Sequence, residues 1–136
     1  GAPGICQIDR IPITPDYMVV AGFFKSNIPK KSVLSSPQKK QEVNCYGKKT
    51  LEAILEDPSL ETFLECCWNF SQKAGFATEN IRQLVKSAKK AGAVGAAQNM
   101  IGEAVHADFV VVDGDDALDD ADGSAFAIEV AALFDV

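Results

Sequence analysis

Beyond Lys90 the chain has no lysine or arginine. Residues 1–107 carry 13 basic and 10 acidic side chains, net +3; residues 108–136 carry nine acids and no base, net −9. The basic residues come as scattered doublets, Lys30–Lys31, Lys39–Lys40, Lys48–Lys49 and Lys89–Lys90, rather than as a dense face interleaved with aromatics. That pattern argues against a nucleic-acid partner. Long apolar runs are missing as well. The longest, "YMVVAGFF" and "AFAIEVAALF", fall well short of the roughly 20 residues a membrane helix requires. No cationic segment followed by an apolar core opens the chain as a secretion signal does. The expectation is a cytoplasmic protein without membrane contact.

Metal ligands are equally scarce. His106 is the single histidine, and Cys6, Cys45, Cys66 and Cys67 contain no Cys-x-x-Cys pair, which excludes a zinc centre of ordinary spacing. Cys66 and Cys67 are neighbours on an expected helix and point about 100° apart. All four cysteines read as buried, reduced thiols. The acidic stretch from Asp113 to Asp122 invites a calcium reading. With Gly123 at position six of an EF-hand loop, however, Leu118 falls at position one and offers no oxygen. A solvated acidic turn is the simpler account.

At 136 residues and 47% hydrophobic, the chain has the size of one globular domain that needs no metal or disulfide to fold. Two β-rich runs, Ile5–Ile13 and Tyr17–Phe24, flank the turn signal Thr14-Pro15-Asp16. Ser36 followed by Pro37 starts a helix that runs to about Glu56. Its inward face is expected to carry Val43, Gly47, Thr50, Leu51, Ile54 and Leu55. A second helix begins at Ser59 and shows the stripe Leu60, Phe63, Leu64, Cys67, Trp68, Ser71 and Ala74, with Gly75 as its stop. A third begins at Thr78, turns Ile81, Leu84, Val85 and Ala88 inward, and ends at Gly92. Strands at Ala104–Val112 and in "SAFAIEVAALF" follow. The order β-β-α-α-α-β-β predicts one α+β domain over 1–136, an antiparallel sheet with about three helices on one face. Phe70 lies roughly opposite the stripe of the second helix and marks a second packing surface, for a missing half or for a homodimer partner.

The segment most open to a ligand is "KKAGAVGAAQ". Its glycines follow a helix, whereas a Rossmann loop precedes one, and it lacks the Gly-Lys-Ser/Thr of a Walker loop. An anion here must be held by the loop's own backbone N–H groups, along the run Gly92-Ala93-Val94-Gly95-Ala96-Ala97, as in a nest. A plain helix-to-strand turn is the alternative. A second candidate is the loop Lys25, Ser26 and Asn27, where the lysine offers a point charge to a carboxylate. His106 and Asp108, two apart on one strand face, form a possible acid/base couple, although a structural sheet histidine is commoner. No catalytic residue is assigned.

Taken together, "GAPGICQIDRIPI", "YMVVAG" and "KKAGAVGAAQNMIGEAVHA" resemble the C-terminal half of archaeal pantoate kinases of the GHMP kinase superfamily. The resemblance covers about residues 1–110. It implies a ferredoxin-like C-terminal domain in which Gly92, Val94, Gly95, Ala96, Ala97 and Gln98 line the cleft. It also implies ATP and Mg in the intact kinase and a small-molecule acceptor, pantoate. The superfamily's N-terminal stretch Pro-x-x-x-Gly-Leu-Gly-Ser-Ser-Ala does not occur here, and Gly1-Ala2-Pro3-Gly4 reads like an interdomain connection. This chain is therefore expected to need a missing N-terminal kinase half and to be inactive alone. The rival reading is a non-catalytic α+β ligand-binding or assembly module. Under the kinase reading, a valine at Gly95 is expected to block the ligand while sparing the fold.

Overall fold

The structure is a computed structural model that describes residues 10–13, 16–24, 35–99 and 102–111. Six elements follow in order: strand β1 Tyr17–Phe23, helices α1 Pro37–Glu56, α2 Leu60–Lys73 and α3 Glu79–Lys90, and strands β2 Gly95–Gln98 and β3 Ala104–Val110. The architecture is α+β, three helices and a three-stranded antiparallel sheet of order β1-β3-β2, with α2 and α3 packed on the sheet and α1 against α2. Of the expected Ile5–Ile13 strand, residues 10–13 take no strand pairing and the rest lies outside the described residues. The last expected strand and the acidic segment lie outside them too.

Helix boundaries follow local chemistry. Ser36, Ser59 and Thr78 have extended backbone, and their side chains accept from the N–H groups of Lys39, Thr62 and Ile81. Each satisfies one of the donors that a helix start leaves open. At the ends of α2 and α3 the chain turns through Gly75 (φ 74°) and Gly92 (φ 97°), a region costly for residues bearing a Cβ. Both turns are Schellman motifs. Phe76 N–H donates to Ser71 C=O and Gly75 N–H to Gln72 C=O; Ala93 N–H donates to Ala88 C=O and Gly92 N–H to Lys89 C=O.

The core is built where the stripes meet. Ile81, Leu84, Val85 and Ala88 of α3 pack with Ala96, Val105, Ala107 and Phe109 of the sheet. Burying side chains the size of Ile81 or Leu84 contributes roughly 1.5–3 kcal/mol each. Leu60 and Leu64 of α2 pack against Ala97, and Trp68 is shared between the two clusters. Helix α1 is held more loosely. Its inward side is Val43, Tyr46, Gly47, Thr50 and Ile54, of which Ile54 alone is buried. Leu51 and Leu55, expected inside, are 52% and 45% exposed. The stripe is therefore rotated toward Tyr46, because among the described elements α1 packs chiefly against α2. Phe70 meets Phe76 edge-on and lies over Gly47 of α1. The side of α2 that it marks faces α1 across a groove of about 420 Å³, which Phe70 lines together with Tyr46, Thr50 and Cys66. Lys39 ties the two helices together: its Nζ donates to Ala74 C=O at 2.6 Å and lies 5.8 Å from the Phe76 ring centre.

Candidate functional site

The segment read as one loop divides into two parts. Gly92, Ala93 and Val94 form the connection, and Gly95–Gln98 form a buried strand at the outer edge of the described sheet. The connecting amides are already in use. Gly92 and Ala93 cap α3, and Val94 N–H donates to Asp108 C=O at 2.8 Å. A nest built from these three N–H groups is therefore not available without breaking the turn.

Within β2 the pairing decides which backbone groups are open. Asn99 N–H donates to Ala104 C=O, and the register sets Ala97 opposite His106 and Gly95 opposite Asp108. By the alternation of an antiparallel ladder, Gly95 and Ala97 turn their backbone groups to β3, and Ala96 and Gln98 turn theirs to the outer edge. Ala97 is fully buried. The Gln98 side chain is spent internally, its amide nitrogen donating to Phe76 C=O and Gly102 C=O. Its Oε1 is buried without a partner.

Val94, Gly95 and Ala96 come together with Glu61 and Glu65 of α2 and Lys89 of α3 around a pocket of about 190 Å³. Gly92 stays on the exposed turn outside it. Two carboxylates face one ammonium across this pocket. The balance opposes a bare phosphate and suits a ligand that offers hydroxyl or other donor groups. Sequence reasoning missed both glutamates. Their signal is the i, i+4 spacing on the polar side of α2, which is common to solvated helices.

Gly95 has a packing reason of its own. A Cβ built there lies 2.7 Å from Leu64 Cβ and 2.8 Å from Leu64 Cδ1. The expectation that valine at this position spares the fold is thus corrected, since a side chain would push α2 from the sheet. Lys25, Ser26 and Asn27 lie outside the described residues.

His106 Nδ1 contacts Asn99 Oδ1, and Asp108 is 5% exposed with Oδ1 lacking a partner. Burial raises the Asp108 carboxyl above the ordinary carboxylate range, and attraction to His106 opposes that rise. The histidine's hydrogen bond goes to the asparagine, so the two are electrostatic neighbours on one strand rather than a bonded couple. Among the cysteines, Cys45 is exposed, and Cys66 and Cys67 are partly buried on different surroundings. Cys66 lines a groove against α1, and Cys67 packs beside Ala97. Burial, with Cys66 adjacent, pushes the Cys67 thiol up, which makes it a poor nucleophile. Cys45 corrects the expectation that all the thiols are buried, because it lies on the exposed side of α1 with Asn44 and Lys48. Cys6 lies outside the described residues.

No protein-family model matches the chain. It is 26% identical over 96 residues to the pantoate kinase of Methanocaldococcus jannaschii, a match that covers 71% of this chain and 34% of the relative. Among solved structures, a phosphotransferase related to the CoA biosynthesis pathway superposes with a TM-score of 0.65 at 21% identity, over 98% of this chain and 38% of the other. The second likeness shows a shared fold. The chain spans little more than a third of the length of the proteins it matches.

Proposed function

We propose that this chain is the C-terminal part of a small-molecule kinase of the GHMP type. The intact enzyme passes the γ-phosphoryl of ATP to the hydroxyl of pantoate, on the route to coenzyme A, in the cytoplasm. The observation that carries the reading is the 26% identity over 96 residues to a pantoate kinase, with the fold of a related phosphotransferase. The edge pocket supports it. Val94, Gly95 and Ala96 form one wall, and Glu61 and Glu65 are placed to accept hydrogen bonds from an acceptor's hydroxyl groups. Phosphoryl transfer depends on positioning and on neutralising charge. This domain offers positioning, while ATP and Mg belong to the N-terminal half. The chain alone is therefore inactive.

The test is reconstitution. An N-terminal half supplied in trans is expected to give ATP-dependent phosphorylation of pantoate. Val94→Trp, which fills the pocket from a partly exposed position, is expected to lower kcat/KM by at least tenfold, about 1.4 kcal/mol. Its thermal midpoint should stay near that of the parent. If neither pantoate nor ATP binds, with or without the N-terminal half, the rival reading of a non-catalytic α+β module takes over.

A further inference from the structure

A second concave surface lies on the outside of the molecule, where α2 crosses α3. Trp68 and Gln72 of α2 and Arg82, Val85, Lys86 and Lys89 of α3 line a groove of about 300 Å³. Three of the six are cations and none is an acid. Glu61 and Glu65 stand in the neighbouring pocket, which shares only Lys89 with this one.

The cations are not explained by the helix that bears them. Lys89 sits in the last turn of α3, where the dipole favours it. Arg82 sits near the first turn, where the same dipole disfavours a cation. Arg82, Lys86 and Lys89 follow one another at spacings of four and three, so like charges repel along one face. Among the described residues, no ion pair joins Arg82, Lys86 or Lys89 to a carboxylate. Glu79, three residues before Arg82, is instead bonded by Gln83. The guanidinium is also oriented in advance, because Arg82 Nη1 donates to Gln72 Oε1 at 3.1 Å. That leaves its remaining donors for a planar or tetrahedral oxyanion.

We infer that the α2–α3 groove is a binding site for a compact oxyanion, a phosphate or carboxylate group, held by Arg82, Lys86 and Lys89 beside the Trp68 indole. This site is distinct from the edge pocket and does not rest on the kinase reading. It supplies the positive field that the edge pocket lacks, and an anion seated there removes the repulsion along α3.

Trp68 is the single tryptophan of the chain, so its fluorescence reports on this groove. The full chain is titrated at physiological ionic strength with pyrophosphate, inorganic phosphate, a short hydroxycarboxylate and, as the control, chloride. A saturable change in Trp68 emission is expected with pyrophosphate in the millimolar range or below. Comparison with the hydroxycarboxylate tells whether phosphate or carboxylate is the preferred source. The double variant Arg82→Gln/Lys86→Gln, altered at exposed positions, should weaken binding at least about tenfold. Lys49→Gln/Lys73→Gln, in the groove between α1 and α2, should leave it unchanged. Circular dichroism confirms that both variants are folded. The inference is overturned by any of three results: no saturable response, a response that chloride reproduces at equal ionic strength, or one that survives the Arg82/Lys86 change.

Discussion

A single methyl group at Gly95 meets Leu64, a side chain only 1% exposed and fixed in the core. Gly95→Ala is therefore expected to lower unfolding stability by roughly 1–3 kcal/mol, the cost of overpacking. Leu64→Ala is destabilising by itself because that side chain is buried, but the double variant should lose less than the sum of the two single losses, which denaturant titration of all three variants would show. Asp108 makes a different kind of statement. Because its carboxyl is raised by burial, the folded chain binds more protons than the unfolded chain between the ordinary value, 3.8, and the raised one. Stability thus falls as pH rises through that window, and the penalty is complete above it. Asp108→Asn is expected to be more stable than the parent at neutral pH, with the advantage shrinking toward pH about 4. An advantage of the same size in acid would mean that packing, not charge, is responsible.

At the level of elements, Lys39 links the first turn of α1 to the last turn of α2. Lys39→Met keeps the stem but loses the bond to Ala74 C=O and the contact with Phe76. A loss of about 1 kcal/mol is expected in the urea midpoint, with the slope of the transition unchanged. The helices themselves were legible from local chemistry. Ser36-Pro37, Ser59 and Thr78 mark starts, Gly75 and Gly92 mark ends, and the stripes of α2 and α3 are the buried ones. Two things were not legible. The stripe of α1 is misread at Leu51 and Leu55 because, among the described elements, that helix packs chiefly against one neighbour, which no periodicity reports. The strand Gly95–Gln98 hides in a glycine–alanine run that carries no β-branched residue. It is a strand because Asn99, Val94 and the register with β3 make it one. The candidate site was legible as a segment. The carboxylates facing it were not, since only folding brings α2 to the edge of β2.

For the molecule as a whole, the placement of charge separates two surfaces. The edge pocket is acidic on balance, and the groove across α2 and α3 is cationic. A ligand with both hydroxyl groups and an acid group meets complementary chemistry in each, and Lys89 is common to both. The order of the sheet has a kinetic corollary. β2 and β3 are close in sequence and stand directly beside α3, so they can nucleate together with it. β1, by contrast, pairs Tyr17 with Val110 across nearly the entire described chain. Closing so long a segment is entropically slow. During refolding, amides of β1 should thus gain protection from solvent exchange last, leaving one side of β3 transiently bare to any neighbouring chain with an unpaired strand.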